Sequence, residues 1–204
     1  MTLTKIVFAE RLHTNGFEMI GHFEKLWKVT NELNNKEARV YKIDPETILK
    51  QFINTYFPQK VNTEYDSAIK LNEERFKVLQ NKDSFINYIE DQIAQIPLHD
   101  DIDTMVIVTG IYDDDIVKYL EDKHKFKVKY LTTSEEERII NFNKEFSKQN
   151  IDRTYEDITS YIDLMDLNGE TIVNFNQELY KPIELNHTTS LDKIALQLVL
   201  EIIV

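Results

Sequence analysis

The chain alternates short apolar runs with longer segments in which apolar residues recur every three or four positions. The short runs predict buried β-strands, and the periodic segments predict helices with one buried face. Strands are predicted at residues 5–8, 38–43, 104–109, 126–131 and 170–174. Helices are predicted at residues 17–33, 45–56, 65–95, 113–124, 134–146, 155–162 and 191–203. Because the two alternate, we predict one α/β domain with an open parallel sheet of about five strands and helices on both faces.

The first predicted helix carries large apolar side chains at helical spacing. They are Phe17, Ile20, Phe23, Trp27 and Val29. Residues three or four positions apart lie on the same side of a helix. We therefore expect this stripe to pack in the core rather than to stack on nucleotide bases.

Polar residues mark the starts of three later helices. Asp44 stands before Pro45, which suits an N-cap followed by proline at the first helical position. Ser134 and Glu137 have the spacing of a capping box. Residues 113–115 are three consecutive aspartates, which complement the positive end of a helix dipole. Carboxylates also bind magnesium, but capping is the interpretation that we adopt.

Composition narrows the classes of function. The 204 residues include no cysteine, which excludes disulfides, thiolate metal sites and a cysteine nucleophile, and favours a cytoplasmic protein. No run is long and apolar enough for a membrane span. The five histidines lack the spacings of zinc ligands. The net charge of −12 argues against direct binding to nucleic acid, although acidity could suit a basic partner protein.

Several segments resemble the P-loop kinases, and most closely the phage-type deoxynucleoside monophosphate kinases. VYKIDPETILK at 40–50 is similar to the family's "FADPLK" segment, and MVIVTGIYDDD at 105–115 is similar to "VITDVRFPNE". KVKYL at 127–131 and SEEER at 134–138 resemble the strand and helix that lead into the lid. The resemblance implies a kinase-like domain over 1–204, with a helical insertion at about 60–100 and a lid-like region at about 138–160.

The segment that should bind phosphate departs from the family. A phosphate loop reads GxxxxGK[ST], since glycines let backbone N–H groups converge on phosphate and lysine neutralises its charge. The equivalent residues 9–18, AERLHTNGFE, contain one glycine and no lysine. Glu10 and Glu18 would repel a bound triphosphate. The second signature also differs, because residues 110–112 are Gly-Ile-Tyr where the family has Asp-Val-Arg.

The resemblance still implies where phosphate and nucleotide would bind. Ligands of parallel sheets lie beyond the carboxyl ends of the strands. The candidate residues for phosphate, the acceptor nucleotide and the lid are Arg11, His13, Asn15, Gly16, Asp44, Arg138 and Arg153. No residue is assigned to a metal or to catalysis.

Two functions remain open. The first is a degenerate kinase-like protein, phage-encoded and working in the host cytoplasm, which binds a nucleotide, a host protein or a second copy of itself. The second is an active (deoxy)nucleoside monophosphate kinase that uses ATP and magnesium, with Arg11 or His13 replacing the missing lysine. A third interpretation, an unrelated α/β domain, is tested by strand order, because a P-loop fold places the first strand at the centre of the sheet.

Overall fold

The computed structural model describes residues 2–10, 14, 16–45, 82–111, 113–147, 181–186 and 188–203. We number the elements within these ranges in chain order. The strands are β1 (Leu3–Glu10), β2 (Glu37–Ile43), β3 (Ile102–Ile111), β4 (Lys127–Thr132) and β5 (Ile183–Glu184). The helices are α1 (Gly16–Leu33), α2 (Lys82–Ala94), α3 (Asp114–His124), α4 (Glu135–Ser147) and α5 (Leu191–Ile203).

The five described strands form one parallel sheet in the order β2-β3-β1-β4-β5. The first strand is therefore central, between β3 and β4, as expected of a P-loop kinase fold. This order confirms the predicted fold class. It also excludes the third interpretation, an unrelated α/β domain. All five strands point the same way, so their carboxyl ends meet at a single edge of the sheet.

Helices cover both faces of the sheet. One core cluster joins Val7 and Val106 to Ile89 of α2 and Leu120 of α3. The other joins strand residues of the opposite face to α1 and α5, and includes an edge-to-face contact between Phe8 and Phe23, whose ring centroids lie 5.6 Å apart. Successive residues of β1 alternate between the two clusters, because side chains of a strand point to alternate faces.

A bulge in β3 shapes the carboxyl edge. Val7 pairs with Val108 but Ala9 pairs with Ile111, so β3 contains one extra residue at this point. Gly110 has φ of 68° there, a left-handed conformation that favours glycine. Gly110 thus has a backbone role at this edge of the sheet.

Most of the predicted elements are confirmed within the described ranges, with some differences. β1 continues through Glu10, which the sequence analysis placed in a phosphate-loop segment, and β5 was not predicted. The predicted elements at 45–56, 155–162 and 170–174 fall outside the described residues, apart from Pro45, as does the part of 65–95 before Lys82. The insertion at about 60–100 and the lid at about 138–160 stay predictions.

The prediction that the apolar stripe on α1 is buried is partly wrong. Phe23 and Trp27 are buried, but Phe17 is 76% exposed and lies beneath the Lys42 ammonium, 5.8 Å from the ring centroid. Each step of three residues turns a helix by about 300°, so two steps carry Phe17 about 120° away from Phe23 around the axis. Val29, which was also assigned to the stripe, is 41% exposed, and Met19 completes the buried face instead.

Among the residues that the structure describes, no helix combines the length and the apolar character needed to cross a bilayer.

Candidate functional site

The candidate site lies at the carboxyl edge of the sheet, where β1 ends and α1 begins. Glu10 is the last residue of the central strand, and Gly16 is the first residue of the helix that follows. The first N–H groups of a helix have no partner within the helix and carry partial positive charge. The start of α1 is therefore a position suited to hold an anion.

An internal carboxylate occupies this position. The Gly16 N–H donates a hydrogen bond to Glu10 Oε2 over 3.1 Å. Glu10 is only 9% exposed, so the contact is largely shielded from water. Shielding strengthens a hydrogen bond between a backbone N–H and a carboxylate. The negative group at the start of α1 is therefore supplied by the protein itself.

The approach of Glu10 requires the absence of a side chain at residue 16. A β-carbon on Gly16 would lie 2.2 Å from Glu10 Oε2 and 2.6 Å from Leu131 Cδ1. Both separations are far below van der Waals contact. The single glycine of this segment thus makes room for an internal carboxylate and a neighbouring leucine, whereas the resemblance had implied a phosphate contact.

Thr14, two residues before Gly16, is a second buried polar residue of this segment. Its side chain is buried, and its Oγ1 has no hydrogen-bond partner among the described residues. Hydroxyl groups without a partner are uncommon in protein interiors.

Asp44 follows β2 at the same edge. The pKa of Tyr88 in α2 is raised by burial and by the negative charge of Asp44, so the two side chains are near each other. The residue implied for the acceptor nucleotide is therefore near a tyrosine hydroxyl that stays protonated over the neutral pH range. This residue pair was not predicted, because α2 is far from β2 in sequence.

The aspartate run has the predicted capping role. Asp113 is the N-cap of α3 and accepts hydrogen bonds from the N–H groups of Asp115 and Ile116 at 2.9 and 3.2 Å. Lys82 Nζ lies 3.0 Å from Asp113 Oδ2 and 2.5 Å from Asp115 Oδ2. These bonds, that to Asp115 above all, raise the pKa of Lys82, and the lysine lowers the pKa of Asp115. Among the described residues, no cluster of three or more histidines and carboxylates could hold a metal ion.

Arg138 lies in the first turn of α4, at the end of β4. The helix begins as predicted, with the Glu137 N–H donating to Ser134 Oγ over 3.3 Å. Arg138 is 2% exposed, so its guanidinium is packed within the protein in this structure. A buried arginine requires compensating partners.

The structure places three of the seven candidate residues, and all three lie at the carboxyl edge. They are Gly16 at the start of α1, Asp44 after β2 and Arg138 after β4. Arg11, His13, Asn15 and Arg153 lie outside the described residues. The sequence led us to expect that Glu10 would repel phosphate, but it did not lead us to expect the contact between Glu10 and Gly16. The available signal was a glutamate at the end of the central strand, six residues before the segment's only glycine.

Comparison of the chain with protein-family models gives no match, and comparison with curated proteins gives none either. Among solved structures, the chain is similar to a shikimate kinase from Acinetobacter baumannii in complex with shikimate. The TM-score is 0.48 at 10% sequence identity, over 98% of this chain and 93% of that chain. A likeness of this size carries no functional argument, and the fold class stated above rests on strand order.

Proposed function

We propose that this protein is a degenerate nucleotide-kinase-like protein that acts by binding rather than by conventional phosphoryl transfer. Its scaffold has the strand order of P-loop kinases, while its phosphate loop lacks the lysine and all but one glycine. The segments that resemble phage-type deoxynucleoside monophosphate kinases support a phage origin and a role in the host cytoplasm. The partner is a nucleotide, a host protein or a second copy of the chain.

The observation that supports this proposal best is the buried contact between Glu10 and Gly16. An incoming phosphate would have to lie beside a carboxylate that already accepts the hydrogen bond of Gly16. Two like charges at about 4 Å repel by roughly 4 kcal/mol at an effective dielectric constant of about 20. The phosphate would also lack the lysine that neutralises its charge in a working loop. Both effects weaken the binding of a triphosphate.

The first experiment incubates the protein with ATP, magnesium and each nucleoside and deoxynucleoside monophosphate, and measures product by chromatography. We expect no turnover. If ATP also leaves the melting temperature unchanged, the active-kinase alternative is refuted. Turnover that disappears in Arg11→Ala would refute the proposal and would support an active kinase with an unusual phosphate loop.

A second experiment tests the carboxylate itself. Glu10→Gln keeps the shape of the side chain but removes its charge. The control is Glu18→Gln, which removes the same charge from an exposed residue in the first turn of the same helix. We expect inorganic phosphate to stabilise the Glu10→Gln protein more than the Glu18→Gln protein or the wild type. Equal stabilisation of all three proteins would show that Glu10 does not exclude anions.

A further inference from the structure

Four apolar side chains on α1 and α5 are substantially exposed. Their exposed fractions lie between 41% and 79%, and the residues are Val29, Leu33, Leu196 and Leu200. Single exposed leucines are ordinary, whereas a contiguous apolar patch marks an interaction surface.

Two contacts fix how the helices lie. His22 Nδ1 of α1 is 2.6 Å from Asp192 Oδ1 in the first turn of α5. Lys129 of β4 donates over 2.6 Å to Glu201 in the last turn of α5. Because α5 follows the carboxyl end of β5 and its last turn lies beside β4, it runs back along the sheet toward the amino edge. This is the direction that α1 takes after β1, so the two helices are parallel neighbours.

Helical periodicity then places the four apolar residues on the outer side of this pair of helices. Val29 and Leu33 are seven and eleven residues beyond His22, on the same side of α1. Leu196 and Leu200 are four and eight residues beyond Asp192, which places them about 40° and 80° around α5 from it, toward solvent and away from the buried Ala195 and Val199. The four residues therefore form one stripe, which we call the α1–α5 stripe.

The charges beside this stripe are self-complementary. Lys25 and Glu32 are exposed and lie four residues before and three residues after Val29, on the same side of α1. Neither makes an ion pair with another residue in the described ranges. If a second copy of α1 crosses in the opposite direction at Val29, each Lys25 faces the Glu32 of the other copy.

We propose that the α1–α5 stripe is a twofold interface between two copies of this chain. A twofold contact needs one surface that complements itself, and a central valine between a lysine and a glutamate meets that condition. Two helices about 10 Å apart and roughly 20–27 Å long offer a face on the order of 500 Å². That area is at the lower end for specific interfaces, so the dimer is weak and reversible. The inference does not depend on whether the protein transfers phosphate.

The test is sedimentation velocity on the full chain, from low-micromolar to several hundred micromolar protein. A salt concentration of about 0.15 M screens the general repulsion between two acidic chains. We expect the wild type to shift from monomer to dimer as its concentration rises. A wild type that stays monomeric across the range would overturn the proposal.

Two sets of variants test the location of the interface. Leu33→Ser should weaken the dimer at least tenfold, while the control Leu98→Ser, an exposed leucine after α2, should leave it unchanged. Lys25→Glu and Glu32→Lys should each weaken the dimer, and the double exchange should restore it. Circular dichroism checks that each variant folds. A dimer that persists in Leu33→Ser, or a double exchange that restores nothing, would show that the contact lies elsewhere.

Discussion

Gly16→Ala tests the tight packing at the start of α1. The new β-carbon would lie 2.2 Å from Glu10 Oε2 and 2.6 Å from Leu131 Cδ1, so both side chains must move. Overpacking of this kind costs about 1–3 kcal/mol. Moving Glu10 also breaks its hydrogen bond with the Gly16 N–H, and bonds to charged groups are worth roughly 1.5–3 kcal/mol. Because the two losses overlap, we expect the free energy of unfolding to fall by about 2–4 kcal/mol.

Gly21 provides the matched control for this substitution. It lies in the same helix, and a β-carbon there would have no neighbour within 4 Å. Alanine is favoured over glycine inside a helix by about 0.5–1 kcal/mol, so Gly21→Ala should stabilise the protein.

The assay for both variants is urea unfolding, followed by circular dichroism, together with thermal melting. For a chain of this size, the loss in Gly16→Ala should lower the melting temperature by on the order of 10 °C. A Gly16→Ala protein as stable as the wild type would mean that the Glu10 carboxylate does not pack against Gly16, and the main support for the proposed function would be lost.

Two further predictions concern groups around α3. Asp113→Ala removes the acceptor of two N–H groups and one partner of Lys82. In urea unfolding, the free energy of unfolding should therefore fall by about 1–2 kcal/mol. The control Asp122→Ala, at the opposite end of α3, should change stability little. The hydrogen bonds that Lys123, Tyr119 and His124 donate lower the pKa of Glu90 to about 2, from 4.5. Ionised Glu90 therefore stabilises the fold above about pH 4.5, and this contribution is lost as the pH falls toward 2. Melting curves at a series of pH values test this. The Glu90→Gln protein should melt at a lower temperature than the wild type near neutral pH, and the difference in melting temperature should shrink in acid. A difference that does not depend on pH would contradict this.

The local signals in the sequence predicted much of the described fold. The run at 104–109 indicated a strand buried on both faces, and β3 is that strand. Asp113 and Ser134 were predicted to begin helices, and both do so, because capping involves only residues within one helical turn. Phe17 was wrongly predicted to be buried. Residues at repeated three-residue spacing move gradually around the helix axis, and they stay on one face only when steps of three and four alternate.

The sequence alone determined that strands and helices alternate, where several of them begin, and that the turn after the first strand lacks the residues of a phosphate loop. These properties depend on neighbours along the chain. Only the tertiary structure decided that Glu10 reaches the Gly16 N–H, that Arg138 is buried, and that α1 and α5 share a seam. The first of these depends on how the end of β1 meets the start of α1, and the other two depend on which elements become neighbours in space. Hydrophobic periodicity carries no information about either.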